Sequence, residues 1–152
     1  MGNSGKVTAV CLQVRVESKR LPGKALIDIE GKRVIEHAME ALKLVPADHY
    51  LVVTEEKSAP DLGSPAEEAG FTLFVGPEED VLGRYLLAAR EYDADTVIRA
   101  TGDNPLVSPA LARKILDSHV RRGADYSGFL GMPLGLGVEV ISRRALETAG
   151  RE

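Results

Sequence analysis

The chain has 152 residues, 44% of them hydrophobic and 28% charged, with 15 glycines, one cysteine, no tryptophan and a formal net charge of -4. A chain of this length buries roughly two-thirds of its extended surface around one core, so one domain spanning residues 1–152 is expected. The lone Cys11 excludes an intramolecular disulfide, no stretch approaches the ~18 consecutive apolar residues of a membrane span, and no leader pattern opens the chain, so a cytoplasmic protein with no membrane partner is expected. The acidic balance also speaks against a nucleic-acid partner, which needs a basic face.

Val7 to Val14 is a β-branched apolar run and predicts a buried first strand, followed by a loop from Arg15 to Lys24 without helical period. Val34, Ile35, Ala38, Met39, Ala41 and Leu42 recur at helical spacing, and Pro46 ends that helix. Tyr50 to Thr54 reads as a second strand, Lys57 to Gly70 as a loop with a short helix, and Phe71 to Val75 as a third strand. Glu78 to Tyr92 is the longest helical pattern, with Glu78, Glu79 and Asp80 assigned to its first turn. Thr96 to Thr101 is a fourth strand, and Ser108-Pro109 opens a helix that Gly123 closes. Val138 to Ile141 is a further strand, after which Ser142 caps a last helix. Strands alternating with helices imply right-handed crossovers and a mostly parallel sheet covered on both faces, a three-layer αβα arrangement. Ligands of such sheets bind beyond the carboxyl ends of the strands. The loops after the first and fourth strands are therefore the places to look for chemistry.

The first of these loops, Arg15 to Lys24, holds Arg15, Lys19, Arg20 and Lys24 against one acid, Glu17, a formal charge of +3 on an acidic chain. Arg15 and Arg20 suit bidentate contacts to phosphate, Lys24 supplies a compact charge, and Ser18 a hydrogen-bond donor. The loop matches neither a Walker A sequence nor a GxGxxG turn, which disfavours P-loop hydrolases and dinucleotide dehydrogenases. A solvated basic loop without a ligand is the alternative. The second loop carries Thr101-Gly-Asp-Asn-Pro-Leu106, where Asp103 leaves a buried strand through a glycine turn. A hard carboxylate oxygen beside a phosphate cradle is what Mg²⁺ takes; the alternative is an Asp-Asn-Pro turn bonding its own backbone.

Gln13-Val-Arg-Val-Glu-Ser-Lys-Arg-Leu-Pro-Gly-Lys24, Ile29 to His37, Asp80 to Tyr85, Thr101 to Leu106 and Gly135 to Val140 together resemble the cytidylyltransferase family. Its SpsF-like branch, related to the acylneuraminate and Kdo cytidylyltransferases, is the most similar. The resemblance implies a GT-A-like nucleotide-binding fold and transfer of CMP from CTP to a sugar or sugar acid for a cell-surface polysaccharide, with release of pyrophosphate and help from Mg²⁺. It implies nucleotide binding by Leu12, Gln13, Arg15, Ser18, Arg20 and Lys24, with Arg84 reaching a phosphate or base. It implies catalytic roles for Lys24, Arg15 and Asp103, metal ligation by Asp103 and Glu139, and a homodimer as a partner state. Glu17 stands where the family loop commonly has a small residue, and Leu134 and Gly137 where the SpsF-like branch usually has acids. Those departures give a second reading, a shortened, catalytically weak nucleotide- or sugar-phosphate-binding homologue that acts as an interaction subunit.

The remaining signals read as structure. Cys11 is expected in the core, the three histidines in structural roles, and Tyr85 with Tyr92 as a packing stripe on one helix. The glycine-rich apolar segment Gly128 to Gly137 reads as an acceptor-side lid or, more simply, as a segment covering the core or covered by a partner.

Overall fold

Alternate residues of the first strand face two apolar layers, and that division organises the molecule. A computed structural model describes residues 5–151; the N-terminal residues 1–4, within the stretch read as lacking a leader, and residue 152 fall outside it. The elements in chain order are β1 (Thr8–Gln13), a hairpin of β2 (Asp28–Ile29) and β3 (Lys32–Arg33), α1 (Val34–Leu42), β4 (His49–Thr54), α2 (Ala59–Glu68), β5 (Thr72–Val75), α3 (Val81–Glu91), β6 (Thr96–Thr101), α4 (Pro109–Arg122), β7 (Tyr126–Ser127), β8 (Glu139–Ser142) and α5 (Arg143–Ala149).

Six strands form one sheet in the order β5-β4-β1-β6-β8-β7. The pairs β5/β4, β4/β1 and β1/β6 are parallel, whereas β8 runs antiparallel to both β6 and β7. The sheet is thus mostly parallel, with helices on both faces. Val10 and Leu12 of β1 face the larger core with Ile35, Met39 and Leu42 of α1, Leu62 of α2 and Ile115 of α4. Ala9 and Cys11 face the other core with Tyr85, Ala88 and Ala89 of α3 and Leu146 of α5. The strands are apolar on both faces because both faces are covered. Cys11 is fully buried, and desolvation pushes its thiol up to about 12. No described helix is long and apolar enough to cross a membrane.

The helix ends obey the capping rules the sequence suggests. Ser108 Oγ accepts from Leu111 N, Ser142 Oγ accepts from Ala145 N, and Gly123 closes α4 in the left-handed region at φ 59°. One boundary differs. Asp80 is the N-cap of α3, its carboxylate accepting from Gly83 N at 2.7 Å, so Glu78 and Glu79 precede the helix instead of lying in its first turn. The hairpin β2/β3 and the short β7 are additions that the periodicity missed, since two-residue strands carry no period. Within residues 128–137 Phe129 packs against the core, while Leu130 and Leu134 stand in solvent, 98% and 104% exposed, so this segment covers the core of its own chain only at Phe129.

Candidate nucleotide site

The parallel register pairs Gln13 of β1 with Thr101 of β6, so the basic loop and the Asp103 loop leave the sheet at the same level. Beyond Gln13, the backbone stays tied to the end of β4. Val14 N donates to Val53 O at 3.1 Å, Thr54 Oγ1 donates to Val14 O at 2.7 Å, and Val16 N donates to Ser58 Oγ at 2.9 Å. The loop then closes on itself where Gly23 N donates to Val16 O at 2.8 Å, with Gly23 at φ 70°, a conformation that glycine adopts without strain. A single 3₁₀ turn, Lys24–Leu26, follows, and burial of Ala25 anchors it. Lys24 therefore projects from a fixed turn.

Asp103 is placed by equally local means. Gly102 N donates to Gln13 O at 2.8 Å, and Asn104 Nδ2 donates to Thr101 Oγ1 at 2.6 Å. A Cβ on Gly102 would fall 2.5 Å from Val14 Cγ2, so only glycine allows the two loops to approach this closely. Lys24 Nζ lies 2.6 Å from Asp103 Oδ2. Partial burial pushes the Asp103 carboxyl up, but the Lys24 ammonium and the Thr101 hydroxyl outweigh it and hold the group below the usual carboxylate range.

A cavity of about 390 Å³ opens over this pair, lined by Gln13, Arg15, Ser18, Arg20, Lys24 and Asp103. Glu17 and Lys19 also border it, so the acid that departs from the family loop does face the site. The wall is dominated by cations at the carboxyl edge of a parallel sheet, an arrangement suited to a polyphosphate. A second hollow of about 440 Å³ at the opposite strand ends contains Arg143 and Arg144, but their charges are already matched. Arg143 pairs with Asp93 at 2.7 Å and Arg144 with Asp125 at 2.8 Å.

Three residues named from the sequence lie elsewhere. Leu12 is fully buried in the larger core, and its backbone belongs to both the β4 and β6 ladders, so its side chain does not reach the cavity. Arg84 is also fully buried: its Nε and Nη2 donate to Pro77 O at 2.9 and 2.7 Å, and Nη2 donates to Glu78 O at 2.7 Å. It holds the turn before α3, and Gly76 leaves room for its stem. Glu139 is engaged by the Arg99 guanidinium and accepts from Tyr126 OH at 2.6 Å, away from the cavity lining. Burial pushes its carboxyl up, but Tyr126 and Arg99 prevail and keep it ionised below the usual range. No group of three or more His, Cys, Asp or Glu side chains among the described residues could hold a metal, and the carboxylates lining the cavity are those of Asp103 and Glu17.

Sequence reasoning gave Tyr85 only a packing role and Arg99 none, yet both are neighbours of Gln13. Its Oε1 accepts from Tyr85 OH at 2.9 Å and receives Arg99 Nη2 at 3.5 Å. Tyr85 therefore does more than pack, and Arg99 links the strand end to Glu139. The signal for this was the alternation of β6, which puts Arg99 on the same face as Gln13 and Thr101.

The sequence model described as Cytidylyltransferase matches residues 9–152. The chain is 32% identical over 141 residues to the spore coat polysaccharide biosynthesis protein SpsF of Bacillus subtilis (strain 168), covering 89% of this chain and 59% of that protein. It is 36% identical over 115 residues to the 3-deoxy-manno-octulosonate cytidylyltransferase of Aeromonas salmonicida (strain A449), covering 72% of this chain and 44% of that protein. The fold superposes with a TM-score of 0.89 on a cytidylyltransferase from Leptospira borgpetersenii, at 24% identity over 96% of this chain and 64% of that one. With residues 9–152 matched to the family, and with the strand order and loop placement described above, the chain belongs to the cytidylyltransferases.

Proposed function

We propose that this chain transfers CMP from CTP to a sugar or sugar acid, releasing pyrophosphate, in the assembly of a cell-surface polysaccharide. The observation that carries this reading is the meeting of Lys24 and Asp103, 2.6 Å apart, under a cavity shared with Arg15, Ser18 and Arg20. Family membership supports the nucleotide, and the similarity to SpsF and to 3-deoxy-manno-octulosonate cytidylyltransferase supports the acceptor class.

In the reaction an acceptor oxygen attacks the α-phosphorus, a new phosphorus–oxygen bond forms, and the bond to the β-phosphate bridging oxygen breaks. Both the attack and the departure place negative charge where Arg15, Arg20 and Lys24 converge, so these cations screen the approach and stabilise the leaving pyrophosphate. Ser18 and the loop amides orient the phosphates, and the geometry does the rest by positioning. The donor set suits Mg²⁺ in one respect: the ion needs only one or two carboxylates when phosphates supply the remaining oxygens, and Asp103 is one such group. When bound there, the ion would supply Lewis-acid stabilisation of phosphate charge. With Asp103 as a ligand of such an ion, Lys24 would be free to contact a phosphate oxygen.

The test is the shift in melting temperature with CTP and Mg²⁺, followed by pyrophosphate release over a panel of sugar acids that includes 3-deoxy-manno-octulosonate. A rise with CTP and turnover with one acceptor is the expected result. No shift with any nucleoside triphosphate overturns the proposal, and binding without turnover over the whole panel favours the nucleotide-binding subunit instead.

A further inference from the structure

Ser58 stands at the N-cap of α2, yet its side chain makes no capping bond. Its hydroxyl is committed elsewhere: Oγ donates to Glu55 Oε1 and accepts from Val16 N at 2.9 Å. A serine has a single hydroxyl proton, and an ionised carboxylate can only accept. The direction of the chain is therefore fixed, from the Val16 amide to Ser58 to Glu55. Both side chains are buried, Glu55 2% and Ser58 1% exposed. The carboxylate is further satisfied by Lys57 N at 2.6 Å and Ser58 N at 3.2 Å. Burial pushes the Glu55 carboxyl up, but the Ser58 hydroxyl, the two amides and the nearby Arg15 charge prevail and keep it below the usual range.

A buried carboxylate is costly to keep, and a helix cap forgone is a second cost. Together they leave the Ser58 hydroxyl bonded to one amide at the root of the basic loop. Val16 is also the residue on which the loop closes, since its carbonyl receives Gly23 N at 2.8 Å just before Lys24.

We infer that Glu55 and Ser58 form a latch that holds Val16 and so orders the Arg15 to Lys24 loop for the nucleotide phosphates; they are positioning residues and touch no substrate. This role rests on the reading of the loop as the triphosphate site, whereas the latch itself does not.

Hydrogen exchange on the whole, ligand-free chain tests the latch. Ser58→Ala should raise exchange about tenfold across residues 14–23, the loss of roughly one hydrogen bond, while β4 and α2 keep their protection. Calorimetric titration with CTP and Mg²⁺ should show a dissociation constant weakened about tenfold in Ser58→Ala. Ser58→Thr, which restores the hydroxyl, should recover both. Ser58→Cys keeps the shape with a weaker acceptor and should move both readouts in the same direction if Ser58→Ala does not fold. Glu55→Ala combined with Ser58→Ala should loosen residues 14–23 no more than Glu55→Ala alone, because the two act on Val16 in series. Unchanged exchange at residues 14–23 overturns the latch whatever the nucleotide result. Faster exchange with unchanged CTP affinity overturns the positioning role. If the unsubstituted protein binds no nucleoside triphosphate, the proposed function fails and the positioning role with it, while the exchange comparison still decides whether the latch exists.

Discussion

Lys24 Nζ and Asp103 Oδ2 meet at 2.6 Å although they ride on loops that follow two different strands. Both side chains are about two-fifths exposed, and an ion pair in that setting contributes only ~0–1 kcal/mol to stability. The contact is thus too weak to explain itself as a staple. Lys24→Ala should leave the melting temperature nearly unchanged yet lower kcat/KM for CTP by roughly 10²–10³, the usual scale for losing a group that stabilises developing charge. Asp103→Asn should have a similar effect and should abolish the dependence on added Mg²⁺. Parallel melting curves and pyrophosphate-release assays at varied Mg²⁺ check both. A loss of stability matching the loss of activity would contradict the assignment.

Gly102 separates the same two loops by the width of a hydrogen atom. Gly102→Ala would place a methyl group 2.5 Å from Val14 Cγ2. Overpacking of that kind costs ~1–3 kcal/mol, and it should also displace Asp103 from Lys24. Adding Val14→Ala should restore much of the stability and of the CTP affinity, which chemical denaturation and titration would reveal. Additive losses in the double variant would mean that the clash lies elsewhere.

Arg84 offers the opposite prediction. Its guanidinium is buried and spent on the carbonyls of Pro77 and Glu78, and its Nη1 has no hydrogen-bond partner among the described residues. Arg84→Met should cost ~3 kcal/mol of stability, since it breaks charged hydrogen bonds and frees two carbonyls. CTP affinity should stay within about threefold, as expected for a site without shared partners. A selective loss of CTP binding would return Arg84 to the nucleotide site.

His119 is buried and bonded to Ser127 Oγ at 2.9 Å through Nδ1. Desolvation lowers its pKa below the ordinary value of 6.5, and although the Asp125 charge opposes this, it does not reverse it. The unfolded chain therefore takes up a proton at this residue before the folded chain does. Stability from neutral His119 is fully present above about pH 6.5 and is lost as pH falls from there through the folded value. Denaturant midpoints measured from pH 7.5 to pH 5 should decline across the acidic half of that range. His119→Gln, which cannot titrate, should flatten that part of the profile, and an unaltered slope would assign it to other groups.

The legible parts of this molecule were those governed by local patterns. The six-residue strands β1 and β6, the amphipathic α1 and α4, and the caps Ser108, Gly123 and Ser142 follow from periodicity and from backbone chemistry that acts over a few residues. The two-residue strands escaped because pairing with a partner strand, rather than any pattern of their own, makes them strands. Leu12, Arg84 and Glu139 lie outside the cavity lining for a related reason. Each sits inside or beside a matching motif, but motif membership does not say which way a side chain points.

Read along the chain, an acidic protein carries a +3 loop at one strand end and a carboxylate at another, and both lie in motifs that resemble those of the cytidylyltransferases. Only the tertiary structure decided that these loops meet, because the register of β1 against β6 and the missing side chain of Gly102 are properties of packing between segments far apart in the chain. The same packing engaged Glu139 with Arg99 and Tyr126, buried Arg84 under a turn, and turned Ser58 from its helix toward Val16. A charge pattern can be counted along a chain, but whether a given charge is free to meet a ligand depends on partners that only folding brings within hydrogen-bond distance.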